Sequence, residues 1–286
     1  VIIDSLNVMG VDAIGIGDDD LTFGKEFLLE CSRKARFPFL SSNVVDERSG
    51  KTLFHPHLIK EVNGLRVGIF SLLSPEVFLG QTDSRLKGLA LRPPVDVAQS
   101  IVKDLQPKTD LIILLSHLGY PKDMELVQAV SGIHLIVGSH TGMTLTYPPV
   151  VKSTVILQAG SKGMYGARFD VTLNGRELTF YNAATKQSLE SNLGSIKNRL
   201  NTPGPTDAQK AQLRKTREDI EKKLVEFEGK NEFKNVIITL TEQMKDHPEI
   251  VKMIEAYKSK FPEPAPAPPV EPAVPSQKQG APASNK

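Results

Sequence analysis

Three short polar clusters carry the side chains that bind hard or borderline metal ions: Asp18-Asp19-Asp20 with Thr22, Ser116-His117, and Ser139-His140-Thr141. Carboxylates and imidazoles drawn from separate segments form the ligand set of a divalent ion such as Zn²⁺ or Mn²⁺. Two such ions about 3.5–4 Å apart activate water and hold a phosphoryl group for in-line attack. Each cluster has a competing reading. A histidine at a strand end is commonly a hydrogen-bonded core or loop residue, and a run of Asp suits a solvated loop or a helix N-terminus. What favours chemistry is recurrence, since every cluster follows an apolar run and a turn or small residue. Ligands collect at the carboxyl ends of strands in open α/β sheets, where loops with free backbone groups converge.

The elements that must position these residues follow from periodicity. Asp12 to Ile16 reads as a buried strand, and Phe23 to Ala35 as a helix with Phe23, Phe27 and Leu28 at helical spacing. Pro38 to Val45 reads as a second strand. Leu58 to Val62 and Leu65 to Phe70 flank Asn63-Gly64, a two-residue hairpin signal. Val95 to Leu105 places Val95, Ala98, Ile101, Val102 and Leu105 on one helical face. Leu111 to Leu115 is an apolar strand ending in Ser116-His117. A helix near Met124 to Val130 leads to strand Ile133 to Val137, which ends in Gly138-Ser139-His140. Val155 to Gln158 and Arg168 to Leu173 are further strands, the second turning at Asn174-Gly175 into Glu177 to Tyr181. Strands alternating with helices, plus two hairpins, predict an α/β fold with a mixed sheet.

After Ala184 the pattern changes. Leu189, Leu193, Ile196 and Leu200 form a helical stripe that Thr202-Pro203-Gly204-Pro205 interrupts. Thr206-Asp207 can cap a second helix carrying Leu213, Ile220, Leu224 and Phe227, which suggests a helical hairpin. A last helix is expected from Asp246, with Glu249 completing a capping box and Ile250, Met253, Ile254 and Tyr257 buried. Beyond Pro262 the Pro/Ala-rich sequence has no apolar period and reads as a disordered tail. The expected division is residues 1–186, 187–261 (the helical hairpin module) and 262–286 (the tail).

Composition narrows the function classes. With 35 basic against 33 acidic residues, the formal net charge of +2 carries no electrostatic footprint for nucleic acid or an anionic membrane. The longest apolar runs are strand-sized, short of the about 20 residues of a membrane-spanning helix. The single cysteine, Cys31, excludes an internal disulfide, a thiolate zinc cluster and a Cys-x-x-Cys-His haem attachment. Val1 to Gly10 lacks the basic start and cleavage site of a signal peptide, and the chain does not begin with Met, so its start is expected to be a processing or truncation boundary. His55-Pro56-His57 and His247 are expected to be ordinary strand and surface residues. Gly160 to Gly166 lacks the strand-to-helix context of a phosphate loop, and Ser116 lacks a nucleophile elbow.

The order of motifs resembles the calcineurin-like metallophosphatase domain of the 5'-nucleotidase type, over roughly Val1 to Tyr181. Met9 to Gly24 is similar to the family stretch that reads Asn-His-Glu-x-Asp after its glycine. LIILLSHLG at 111–119 resembles the strand that delivers a metal-binding His, and SGIHLIVGSH at 131–140 resembles the one before Gly-His-x-His. Phe37 to Asn43, the Asn63-Gly64 hairpin into RVGIFSLL, and LQAGSKGMYG at 157–166 follow in family order. The resemblance implies an α/β/β/α sandwich with mixed sheets, followed here by a small helical module.

Carried over position by position, the resemblance implies metal ligands at Asp18, His117 and His140, with Asp18 in place of the family's Asn. Asp19 replaces the His that would steady the transferring phosphoryl group, Thr22 replaces the Asp that orients that His, and Gly142 replaces the second His of Gly-His-x-His. Asp19 and Asp20 are then the candidate catalytic residues, Asp20 compensating in a divergent Gly-x-x-Asp-Leu loop. The family's opening Asp-x-His and Gly-Asp segments, with the bridging carboxylate, would fall before Val1. The implied activity is metal-dependent hydrolysis of nucleotides or other small phosphomonoesters, with up to two divalent ions in an intact site. The alternative is a non-catalytic cell-envelope binding or scaffold module, with a protein partner on the helical module. The resemblance places either one in the periplasm or outside the cell.

Overall fold

The computed structural model describes residues 1–80, 82–175 and 177–262; most of the Pro/Ala-rich tail, 263–286, lies outside the described residues. Two compact units are present, one of Ile2–Lys245 and one that begins at Asp246.

The larger unit opens with α1 (Ile2–Met9), a short helix with no buried residue that periodicity does not reveal. Strand β1 (Ile14–Gly15) pairs in parallel with β2 (Phe39–Leu40), and α2 (Gly24–Lys34) connects them. Of the expected face of α2, only Leu28 reaches the core. Phe23 and Phe27 are 76% and 49% exposed and meet each other edge to face at 5.3 Å. The inward side of α2 instead carries Lys25, whose ammonium meets Asp46 at 2.7 Å.

The single strand expected from Pro38 to Val45 is two strands. β2 and β3 (Val44–Asp46) belong to different sheets, β3 pairing with β6 (Leu89–Leu91). The break falls on the buried Ser41-Ser42-Asn43. Asn43 substitutes its side chain for a strand partner, accepting from the Leu73 amide at 2.9 Å and donating to the Leu73 carbonyl at 2.7 Å. A buried amide satisfied in this way fixes the chain's path more firmly than a ladder bond at an edge.

The central sheet has six strands in the order β4-β5-β7-β8-β10-β9, namely β4 (His57–Val62), β5 (Leu65–Leu73), β7 (Leu111–His117), β8 (Leu135–Gly138), β10 (Thr154–Leu157) and β9 (Val150–Val151). The hairpin signal holds: β4 and β5 are antiparallel about Asn63 and Gly64, both at positive φ (50° and 81°). β5, β7, β8 and β10 run parallel, so their carboxyl ends share one rim. Alternation along the strands divides the core. Phe70, Leu72, Ile112 and Leu114 face α3 (Pro94–Leu105) and α4 (Tyr120–Ala129), where Ala98, Val102, Leu105 and Leu126 fill the space. Val67, Leu111, Leu135 and Val155 face the other way, onto Phe180 and Phe233.

Phe180 and Phe233 belong to a three-stranded sheet, β11 (Tyr165–Thr172), β13 (Asn231–Thr239) and β12 (Phe180–Asn182), in that order. The hairpin expected at Asn174-Gly175 is therefore absent. β13 pairs antiparallel with β11 over eight residues and parallel with β12, separating the two. Its first residue explains why: buried Asn231 accepts from the Asn174 and Gly175 amides at 2.8 and 3.0 Å and donates to the Glu177 carbonyl at 2.8 Å. Those bonds consume the backbone groups that a local hairpin would use.

Helices α5 (Ala183–Asn201) and α6 (Asp207–Val225) contact each other, and α5 also contacts β12 and β13. A capping box between Thr206 and Gln209 starts α6. Helices, six-stranded sheet, three-stranded sheet and helices form the layers of a mixed α/β fold, as expected. The second unit holds α7 (Pro248–Lys260). Its capping box does not form: Pro248 occupies the first turn, with His247 as an N-cap that makes no side-chain hydrogen bond. Of its expected stripe, Ile250 and Met253 are half-buried, while Ile254 and Tyr257 are exposed.

Candidate metal centre

Three strand ends converge on one point. β1 runs through Ile16 and Gly17 to Asp18, β7 ends on His117, and β8 passes through Ser139 to His140. One ligand atom from each of Asp18, His117 and His140 falls within 4.8 Å of the others. The parallel register that sets Ser116 against Gly138 brings the β7 and β8 residues side by side. Asn43 contributes from a distance, because it fixes Leu73, the register partner of His117.

Glycines make the approach feasible. A Cβ on Gly17 would stand 3.0–3.4 Å from three atoms of the His117 ring, so the ring lies directly over that backbone. Gly119, at φ +89°, likewise leaves room for the His140 ring. His140 itself sits at φ +72°, a conformation that non-glycine residues rarely adopt and that clusters at functional sites. Gln158, 3% exposed, steadies this turn by donating to the Ser139 carbonyl and bonding Thr141 Oγ1 at 3.0 Å.

The hydrogen bonds define the His117 tautomer. Ser139 Oγ donates to the Ser116 carbonyl at 2.9 Å, so it accepts from His117 Nδ1, also at 2.9 Å. Nδ1 therefore carries the hydrogen, and the lone pair of the neutral ring is on Nε2, which faces Asp18 Oδ1 at 2.9 Å. A lone pair and a carboxylate oxygen at that separation call for a proton or a cation between them. Neighbouring ligands of an ion with bonds of about 2.1 Å stand about 3 Å apart when they subtend a right angle. The Asp18–His117 pair thus suits a divalent ion in chemistry and in spacing, with a ring nitrogen of His140 within 4.8 Å of both.

Asp18 is held from its other side as well. Arg85, in a 3-10 turn between β5 and β6, donates from its Nη1 to Asp18 Oδ2 at 2.6 Å. Burial raises the Asp18 pKa, but His117, when a proton lies between its Nε2 and Oδ1, and the hydrogen bond from Arg85 outweigh it and hold the carboxyl below its ordinary value. Arg85 is locked by Asp83, which it meets at 3.1 and 2.8 Å, by the Val77 carbonyl at 3.1 Å and by the face of Phe78, 4.9 Å away. The hydrogen bond from Arg85 places the Asp83 carboxyl far below the usual range. Periodicity and motif reading miss Arg85, because 67 positions separate it from Asp18 and no local pattern marks it.

The other candidates fall elsewhere. Asp20 Oδ2 accepts from the Gly17 amide at 2.8 Å and closes the turn, while Asp19 is exposed at the start of the following 3-10 turn. Neither joins the three-residue cluster. Ser116 is buried and directs its hydroxyl away, to Asp123 Oδ1 at 2.5 Å. Asp123 is fully buried and its Oδ2 has no hydrogen-bond partner among the described residues. Burial pushes its pKa up to about 7. Thr22 is exposed, and Gly142 faces Ser161.

No family model matches the chain. A 5'-nucleotidase of Vibrio cholerae serotype O1 is 26% identical over 204 residues, covering 60% of this chain and 37% of that protein. The Thermus thermophilus sulfate thiohydrolase SoxB superimposes with a TM-score of 0.56 at 27% identity, over 60% of this chain and 32% of the other. The calcineurin-like phosphoesterase YfkN of Bacillus subtilis shares the fold over 91% of this chain and 72% of its own, with a TM-score of 0.60 at 17% identity. The chain thus spans little more than a third of the length of the V. cholerae relative. Over part of its length this chain is similar in sequence and in fold to 5'-nucleotidases and metallophosphoesterases.

Proposed function

We propose that this chain is the metal-binding part of a phosphoester hydrolase of the 5'-nucleotidase kind, acting on nucleotides or other small phosphomonoesters in the periplasm or outside the cell. The observation that carries the proposal is the convergence of Asp18, His117 and His140 from three strand ends, with the His117 tautomer already set by Ser139. In this reading Asp18 Oδ1, His117 Nε2 and a ring nitrogen of His140 hold one divalent ion. Such an ion supplies Lewis acidity to a phosphoryl oxygen and makes water easier to deprotonate. Ser139 keeps the His117 ring oriented, and Gly17 lets it approach. Asp19 and Asp20 stand at the rim as oxygen contacts, although Asp20 has one oxygen on the Gly17 amide.

The test is hydrolysis of p-nitrophenyl phosphate or AMP by purified protein with Mn²⁺ or Zn²⁺. Turnover that depends on the ion and disappears in His117→Ala supports the proposal; metal-loaded protein inert toward both substrates contradicts it. One observation favours a second reading, a non-catalytic cell-envelope scaffold: Arg85 and a His117 carrying a proton on Nε2 would together satisfy both oxygens of Asp18 without an ion. Under that reading no divalent ion is taken up, and the helical α5–α6 pair serves a protein partner.

A further inference from the structure

We propose that Arg85 is the fixed cation of the Asp18–His117–His140 centre, holding Asp18 by one oxygen and offering its last N–H to an oxygen of a phosphate ligand. This rests on the reading of the site as a phosphoester centre and adds a residue that none of its motifs includes.

The donor count makes the case. A guanidinium has five N–H groups in a rigid planar fork. Four are committed: Nε and one Nη2 hydrogen to Asp83, the other Nη2 hydrogen to the Val77 carbonyl, and one Nη1 hydrogen to Asp18. The fifth is on Nη1, the nitrogen that already touches Asp18, and has no partner among the described residues. The group is thus aimed rather than free: two carboxylates, one carbonyl and the Phe78 ring fix its plane. With Arg85 on Oδ2, Asp18 has only Oδ1 to give an ion, so the carboxylate binds through one oxygen.

Two opposed effects follow. A positive charge beside Asp18 competes with a divalent ion for that carboxylate and repels it, which weakens metal binding. The same charge, with a spare donor, attracts a phosphate dianion through a charge-assisted hydrogen bond. One ion and one arginine then flank the phosphoryl group, the arginine standing where a second cation would otherwise act. The matching ligand class is a phosphomonoester or inorganic phosphate.

Calorimetric titration of the full chain tests this, first with Mn²⁺ and then with inorganic phosphate on Mn²⁺-loaded protein. Arg85→Gln is expected to bind Mn²⁺ several-fold more tightly and phosphate about tenfold more weakly. A merely structural role would lower both affinities together, and that result overturns the proposal, as does unchanged phosphate affinity. If circular dichroism shows Arg85→Gln unfolded, Arg85→Lys carries the test. It keeps the charge without the fork, so phosphate should weaken by about threefold while Mn²⁺ affinity stays unchanged; loss of both affinities, or of neither, overturns the proposal. Wild-type protein that takes up no Mn²⁺ refutes the phosphoester reading and this proposal together. Wild-type protein that takes up Mn²⁺, with Arg85→Gln indistinguishable from it, refutes this proposal alone.

Discussion

Ser139 and Asp123 show how much of the centre depends on residues that would never touch a ligand. Ser139 decides which nitrogen of His117 is free, because its own hydroxyl proton goes to the Ser116 carbonyl. Removing such an orienting partner typically costs about 10–100-fold in metal affinity. Ser139→Ala is therefore predicted to bind Mn²⁺ at least about tenfold more weakly than wild type, by calorimetry; equal affinity would mean that the tautomer is set by something else. Asp123 lies one layer deeper, bonded to Ser116 and pressed against Gly138, where an added Cβ would come within 2.8 Å of its Oδ2. Burial lifts its pKa to about 7, above an unfolded value near 4. Between those two values the folded chain retains a proton that the unfolded chain has released. Stability from this group is therefore full below about pH 4, declines as pH rises toward 7, and is level above that. The loss amounts to something on the order of 4 kcal/mol across the window. Asp123→Asn should flatten this dependence, so that urea midpoints at pH 5 and pH 8 differ less than in wild type; an identical difference in both proteins would contradict it. At this scale the meeting of Asp18, His117 and His140 was legible, since the two histidines each follow an apolar run. Arg85 and the tautomer were not, because they depend on contacts across 67 and 22 positions.

Elements were legible in proportion to how local their partners are. The β4–β5 hairpin announces itself at Asn63-Gly64 because its pairing closes over two residues. Asn174-Gly175 carries the same signal and makes no hairpin, since the competing partner, β13, arrives 56 residues later and takes those amides through Asn231. β13 itself escaped reading because only Asn231 and Phe233 are buried along it, leaving the run at Val236 to Ile238 without clear alternation inside a charged region. The strand from Pro38 to Val45 divides for a related reason, with Asn43 bonding to Leu73 rather than continuing a ladder. Asn231→Ala removes three part-buried hydrogen bonds at the junction of β11, β12 and β13. It is predicted to destabilise the chain by about 2–4 kcal/mol in urea unfolding at pH 7. A change under about 0.5 kcal/mol would mean that the three-stranded sheet does not depend on this residue. Gly17→Ala tests the β1 end differently. Its Cβ would crowd the His117 ring at 3.0 Å, so metal affinity should fall about tenfold or more while the urea midpoint changes little. Unchanged affinity would show that the ring can retreat without loss.

At the scale of the whole molecule, fold and chemistry separate. The α/β class follows from apolar periodicity and the layered architecture agrees with structures of phosphoesterases, whereas the Asp18, His117 and His140 cluster has an arginine on its carboxylate. The balanced charge of +2 leaves no broad field to gather a ligand, so recognition has to be local, at the rim where β1, β7 and β8 end. An ion bound only by the folded chain must also stabilise it. Saturation at about a hundred times the dissociation constant adds about 2.7 kcal/mol, which for a unit of this size raises the melting temperature by several degrees. Mn²⁺ should produce that rise in wild type and not in Asp18→Asn or His117→Ala; equal shifts in all three would place the ion elsewhere. The most direct test of the central claim is the stoichiometry of ion uptake, measured by calorimetry or elemental analysis after dialysis against Mn²⁺ or Zn²⁺. The geometry of Asp18, His117 and His140 predicts one ion per chain in wild type and none in His117→Ala. Wild-type protein free of metal, or a His117→Ala variant that retains its ion, would contradict it.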